Sequence, residues 1–501
     1  MISQESRPGR RRRSSTIRYG IASIVGVCIF LGMLLGAEAP HRSASALFAS
    51  TPDSSLLAAG ESAPEVDPPG LHTEFLPLMS KNLWAYPSAP YGVQIYGINR
   101  SLALQIAQMG ARWVRIPLEW CWIEPTNTTP DQYQWQRGYE AGLAQLAARN
   151  VKVILTVSEN PSWAATYRNG PIDKVPLTEL AEFVVAAVKR YGAPPYNVKY
   201  WEFYNEPDNG SEYWAEQGSA WFGTQPQRYV DLLQAVYQPI KQADPEAQVV
   251  FGGLAYDWFT DAENPGPFVR DFLDQVLSRG GGNWFDVMNF HYYLTFRSNW
   301  EAYGPDIIGK TNYLRSKLAS YGLNKPLICT EAGFWSDDRH DPHGNHELQS
   351  RYVPQLFVRS QAADLGLTIW FMLVDYAPGT VWEVGLFNLE MQPKPAYQAY
   401  VTLTRQLSPA RYVRALGPAE TGSDQVEAYE YTTQTGSSRI VVAWRETDGP
   451  GGLPMSLAGS QAVVVDKYGA KTTIYDRDDG RTDGKVTVTV TASPVYIRIP
   501  Y

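Results

Sequence analysis

Between about residue 90 and residue 405 the chain alternates two hydrophobic periods. Short apolar runs predict strands at 91–96, 113–117, 151–157, 199–204, 248–252, 287–291, 326–330 and 367–373. Between them apolar positions recur at helical spacing, as in Leu143, Leu146 and Ala147, or Leu180, Phe183, Val184 and Val188, or Leu232, Leu233 and Val236. Eight buried strands separated by helices predict an α/β fold, the (β/α)8 TIM barrel, in which working side chains sit at the carboxyl ends of the strands. An open doubly wound sheet would need a Gly-rich phosphate turn after its first strand. Ile95-Tyr-Gly-Ile-Asn-Arg100 does not provide one.

The period changes near residue 406. Runs at 425–433, 439–444, 462–466, 472–475, 486–490 and 495–499 read as short strands, and Val486-Thr-Val-Thr-Val490 alternates cleanly. We therefore expect a small β-sandwich over 406–501, acting as a structural accessory to a catalytic barrel over 86–405. At the other end, Arg10 to Arg13 and Arg18 precede the apolar run Ile21 to Leu35 and the small residues Ser43-Ala-Ser-Ala46. That order predicts export, by a signal peptide over 1–46 or by a retained anchor attaching the chain to a membrane through 19–39. The expected location is extracellular or at the cell surface. Residues 47–85, rich in Pro, Ser, Ala and Glu and broken by Asp67-Pro-Pro-Gly70, read as a linker.

Composition narrows the partners. With 501 residues, 44% of them apolar and 13% aromatic, the chain can bury a large core. Its formal net charge is -8, and residues 1–50 carry seven Arg against two Glu, or +5, which leaves about -13 for the remainder. An acidic body disfavours phosphate backbones, so no nucleic-acid partner is expected. Of the three Cys, Cys28 lies in the apolar run, and Cys121 and Cys329 are too few for a disulfide framework. Cys329 is expected to be a small buried hydrophobe pointing to the same side of its strand as Glu331.

Two carboxyl groups carry the chemistry. Glu206 ends the run Tyr200-Trp-Glu-Phe-Tyr-Asn-Glu-Pro207, and Glu331 ends Leu327-Ile-Cys-Thr-Glu-Ala-Gly333. Either alone could be a helix-capping carboxylate. Two at strand ends, after the fourth and the seventh, are what cleavage of a glycosidic bond requires: one group to protonate the leaving oxygen and one to meet the sugar carbon.

These motifs give the chain its resemblance to clan A glycoside hydrolases, and most to family 39 and its relatives. Asn205-Glu206-Pro207 resembles the clan's acid/base motif, and Thr330-Glu331-Ala-Gly-Phe-Trp-Ser336 its nucleophile motif. Arg115, His291-Tyr-Tyr293, Trp370, Asn160-Pro-Ser-Trp163, Gly385-Leu-Phe-Asn388 and Lys394-Pro-Ala-Tyr397 match further positions. The resemblance implies an exported retaining glycosidase acting on β-linked oligo- or polysaccharide, with Glu206 as acid/base and Glu331 as an ionised nucleophile held by Tyr293 and Arg115. It implies substrate contacts from Arg115, Asn205, His291, Tyr293 and Trp370. Trp163 and Trp335, with Trp120, Trp122 and Trp382, are expected as sugar platforms. Asp208 and Asn209 either reach a neighbouring sugar or start a helix. A transglycosidase would use the same residues, and a non-catalytic sugar-binding barrel would not need the Glu pair. No metal or organic cofactor is expected. The loop from Asp337 to Glu347 holds three His and four acidic residues, but not at zinc or calcium spacing.

Overall fold

The computed structural model describes residues 89–210, 221–259, 266–376 and 382–501. The expected export segment and linker lie outside them. Among the described residues no helix is long and apolar enough to cross a membrane.

Eight parallel strands form one sheet: β1 (Tyr91–Gln94), β2 (Trp113–Glu119), β3 (Lys152–Ser158), β4 (Tyr200–Phe203), β5 (Gln248–Val250), β6 (Met288–Tyr293), β7 (Leu327–Gly333) and β8 (Thr368–Trp370). They run in the order β5-β4-β3-β2-β1-β8-β7-β6. Parallel bridges at Val250–Val287 and Leu254–Phe290 close the ring between β5 and β6. The principal helices outside are α1 (Arg100–Gln108), α2 (Arg137–Ala147), α3 (Leu177–Tyr191), α4 (Pro226–Ala243), α5 (Phe272–Ser278), α6 (Asp306–Ser320), α7 (His346–Ala362) and α8 (Pro395–Leu407). This is the TIM barrel that the alternating periods predict.

The strand period of two sorts the residues inside the ring into layers. Trp113, Ile154, Tyr200, Val250, Val287, Ile328, Leu367 and Ile369 form an apolar layer separate from the barrel–helix core. Two residues further along, Gln94, Arg115, Thr156, Glu202, Asn289 and Thr330 form a buried polar layer. The mouth lies above it. A β-bulge at Thr330 sets Glu331, and not Thr330, opposite His291 of β6. Bulges re-aim side chains next to active sites. Here it corrects the expectation for Cys329, which is buried in the core shared with the helices while Glu331 turns toward Arg115 and Tyr293.

The remaining strands are antiparallel: β9 (Ala410–Leu416), β10 (Val426–Thr433), β11 (Ser438–Arg445), β12 (Leu453–Ala458), β13 (Gln461–Asp466), β14 (Lys471–Tyr475), β15 (Lys485–Val490) and β16 (Val495–Pro500). Six make one sheet, and β12 pairs with β15 in the other. One face of the larger sheet, with Tyr431, Val442, Trp444 and Tyr496, joins the barrel core, and the opposite face packs Val441, Ala443 and Ile497 with Met455 and Val488 of the smaller sheet. That is a β-sandwich. Arg359 of α7 clamps it to the barrel through Glu427 at 2.8 and 2.6 Å, with its guanidinium 5.3 Å over Trp444. Two of its strands were not predicted. β9 is a largely exposed edge without a buried apolar face, and β12 carries Pro454.

Candidate active site

The site grows from the polar layer. Glu202, in the middle of β4, is fully buried and accepts five hydrogen bonds: from Arg115 Nε at 2.7 Å and Nη2 at 2.9 Å, Thr156 Oγ1 at 2.9 Å, the Gly253 amide at 3.0 Å and Asn289 Nδ2 at 3.0 Å. Arg115 thus has Glu202 as its main partner, and Glu331 Oε2 stands further away, at 3.4 Å from Nη1. Burial works against the charge on Arg115, but Glu202 and Glu331 more than offset it and hold the guanidinium charged. Sequence reasoning missed Glu202. The signal was present: it lies two residues after Tyr200, on the inward period of β4.

Above this layer the two glutamates converge. Oxygens of Glu206 and Glu331 and a ring nitrogen of His291 all lie within 4.8 Å of one another. Glu206 sits just after β4, where Tyr204 and Glu206 itself adopt left-handed backbone, with φ of 60° and 49°. Such non-Gly conformations cost about 1–3 kcal/mol each and gather where side chains must be aimed. Glu331 Oε1 accepts a 2.6 Å hydrogen bond from the Tyr293 hydroxyl. Burial pushes the Glu331 carboxyl up to about 7, although Arg115 and Tyr293 both draw it down. Burial, and then the neighbouring Glu331 charge, raise Glu206 well above the carboxylate range. Arg115 and the Tyr293 hydroxyl favour the charge on Glu331 more strongly than the neutral His291 favours it on Glu206, so Glu331 ionises first.

His291 is buried, and desolvation, reinforced by Arg115 and Lys310, keeps it neutral. Its tautomer follows from its neighbours. Asn289 Nδ2 donates to Glu202 and, at 2.8 Å, to Thr330 Oγ1, while Asn289 Oδ1 accepts from the Thr330 amide. The Thr330 hydroxyl is left to donate to His291 Nε2, 3.3 Å away. Nδ1 therefore carries the proton and donates to Glu206 Oε1 at 3.0 Å. A proton on Glu206 then belongs on Oε2. Gly253 admits the ring, since a Cβ there would stand 1.9 Å from His291 Nε2.

Asn205 is fixed in the same way. Its Oδ1 accepts from Arg115 at 2.7 Å, and its Nδ2 is buried without a hydrogen-bond partner among the described residues. The structure thus brings together Arg115, Asn205, Glu206, His291, Tyr293 and Glu331.

The tryptophans behave differently. Trp370 is fully buried, with its indole N–H on the Val384 carbonyl and its ring toward Tyr352 of α7. Ile369 faces the barrel axis, so Trp370 faces the helices. Trp335 is also buried, bonded to the Pro342 carbonyl at 2.7 Å and stacked on Phe334. The expected sugar contacts of Trp370 and Trp335 are corrected to core packing, as is that of Trp120, which is buried against Phe183. Trp163 is half-buried against Trp120, Trp122 is exposed, and Trp382 lies beside His340. Asp208 accepts the Ala255 and Tyr256 amides, and Asn209 is buried beside it, so both shape the loop after β4. A cavity over β1–β4 is lined instead by Tyr96, Glu119, Ser158, Glu159, Asn205 and Trp221 among others.

In the 337–347 loop, Arg339 pairs with Asp337, Asn345 caps α7, and Glu347 accepts from Lys467 of the sandwich at 2.9 Å. Among the described residues the donors close enough to hold a metal ion are those of Glu206, His291 and Glu331. They do not fit one well. The Arg115 guanidinium already faces Glu331, and His291 turns an N–H toward Glu206.

The sequence matches the model of the cellulase family, glycosyl hydrolase family 5, over residues 75–371, more than half of the chain. The chain belongs to this family. It is a glycoside hydrolase, and its substrate is carbohydrate. In fold it is similar to a family 39 glycoside hydrolase from Bacteroides cellulosilyticus WH2, with 18% identity, a TM-score of 0.64 and coverage of 82% of this chain and 80% of that one. A family 30 endoxylanase from Clostridium papyrosolvens C71 aligns at 14% identity and TM-score 0.55, covering 82% and 96%. CelM2, a bifunctional glucanase-xylanase from a metagenome library, aligns at 13% and 0.54, covering 82% and 96%. The likeness to family 39 is therefore one of fold, and the family model that matches is that of family 5. No curated protein matches the chain in sequence.

The His291 tautomer gives a first prediction. Thr330→Val keeps the shape but removes the hydroxyl, and is expected to cost glycosidase activity about 0.5–1.5 kcal/mol in kcat/KM, up to about tenfold. Thr330→Ser should recover it. Equal kcat/KM for Val, Ser and wild type would show that Thr330 does not set the tautomer.

Proposed function

We propose that the protein is an exported retaining glycosidase that cleaves β-linked oligo- or polysaccharide by double displacement. The observation that carries this reading is the approach of the Glu206 and Glu331 oxygens to within 4.8 Å. It accords with the separation of about 5–5.5 Å used by retaining enzymes and not with the 6.5–9.5 Å or so that leaves room for water in inverting ones. Glu331 attacks the anomeric carbon while Glu206 passes its Oε2 proton to the leaving oxygen. Loss of the Glu331 charge in the glycosyl-enzyme then lowers the Glu206 pKa, and Glu206 draws a proton from the incoming water. The buried Asn205 Nδ2 is available to the sugar 2-hydroxyl. Export rests on the basic and apolar order of residues 10–46.

The test is hydrolysis of aryl β-glycosides, β-glucan and xylan, with the anomer released first read by proton NMR. Release of the β-anomer, and a loss on the order of 10²–10⁴ in Glu206→Gln, support the proposal. Release of the α-anomer would overturn retention. The pH profile has a definite sign. Glu331 must be ionised and is pushed up to about 7, so kcat/KM should rise as pH passes through about 7, and it should fall only when Glu206, raised further, loses its proton. A rate independent of pH between 5 and 8 would contradict it.

A further inference from the structure

The mouth of the barrel is uneven. Over β1–β4 it opens as a cavity of about 70 Å³, exposed to solvent on one side. Glu119, the inward residue at the end of β2, and Glu159, directly after β3, both line it, and so does Asn205 with its unpartnered Nδ2. The cations here are engaged: Arg115 by Glu202 and Glu331, and Arg168 by Glu159 at 2.6 Å and the Cys121 sulfur at 3.1 Å. Asn169 completes Glu159 at 2.9 Å. Among the described residues no hydrogen bond or ion pair reaches the Glu119 carboxyl, so the cavity carries a surplus acid.

Resting on the glycosidase reading, we propose that this cavity is the subsite for a sugar bearing a free amino group, with Glu119 receiving the ammonium. A neutral hydroxyl could bond to Glu119 but would leave its repulsion from Glu159 in place. An ammonium offsets that repulsion, and the carboxylate of a uronic acid adds to it. Burial, and then Glu159, push Glu119 up to about 7 against the opposing pull of Arg168. An ammonium arriving beside it stabilises the carboxylate, so at mildly acidic pH, where Glu119 and the sugar amine are both protonated beforehand, binding releases a proton.

The test uses the full chain carrying Glu331→Gln, so that binding is read without turnover. Titration calorimetry compares β-linked oligosaccharides of glucosamine and galactosamine with their N-acetylated and neutral parents, in buffers of different ionisation enthalpy. We expect an amino sugar to bind at least about tenfold more tightly than its parent, about 1.4 kcal/mol, with proton release. Adding Glu119→Gln should abolish both effects without changing the melting temperature. Neutral sugars binding as well as amino sugars, or a preference that survives Glu119→Gln, would overturn the inference and leave the glycosidase reading intact. If no sugar binds and wild type hydrolyses none, the glycosidase reading fails and the inference with it.

Discussion

Glu331→Gly is expected to lower kcat/KM for aryl β-glycosides by on the order of 10⁴-fold or more, because no other group can replace the carboxylate at the anomeric carbon. Its surroundings make this specific. Tyr293 at 2.6 Å and Arg115 at 3.4 Å both favour the charged form of Glu331, and burial leaves little water to substitute for it. Azide should enter the space left by the side chain and restore turnover, giving a glycosyl azide of configuration opposite to the substrate's. The corresponding Glu206 variant should behave in the reverse sense, with azide acting on the intermediate and returning the substrate's own configuration. A Glu331→Gly variant that keeps wild-type rates, or yields an azide of retained configuration, would remove Glu331 from the nucleophile role.

The largest effect on stability is expected at Glu202. Replacing it with Leu removes the acceptor for five donors and strands Arg115 in the barrel interior. Breaking a buried ion pair from one side costs about 3–5 kcal/mol, whereas replacing both partners with apolar residues is often near neutral. Thermal or denaturant unfolding should therefore show Glu202→Leu strongly destabilised and Glu202→Leu with Arg115→Met partly recovered. Activity has its own signature. With Glu202 gone, Arg115 has Glu331 as its remaining carboxylate partner, the Glu331 pKa falls, and the acid limb of kcat/KM moves below about 7. A Glu202→Leu variant within about 1 kcal/mol of wild type would mean that water or movement of Arg115 already compensates the pair.

What was legible in the chain follows from how its elements are buried. The eight barrel strands could be placed because parallel strands covered on both sides are short apolar runs between turn residues. The strand at 410–416 could not, because its exposed edge carries no apolar period. Glu206 and Glu331 stood out because an acidic residue closing an apolar run is unusual. Trp335 and Trp370 close such runs too, and aromatic residues at strand ends read alike whether they face sugar or helices. One bulge at Thr330 and the inward position of Ile369 separate the cases, and both belong to the packed sheet.

The sequence alone therefore determined the order of elements, the barrel, and the pair of carboxyl groups after β4 and β7, since each is written in local periods and local composition. Tertiary structure decided which polar residues meet. Arg115 finds Glu202 across 87 positions and Glu331 across 216, and the His291 proton is set by a chain running from Glu202 through Asn289 and Thr330. Those contacts depend on the stagger of neighbouring strands and on one bulge. Hydrogen bonds form only within a few tenths of an ångström of about 3 Å, a precision that no pattern along the chain encodes.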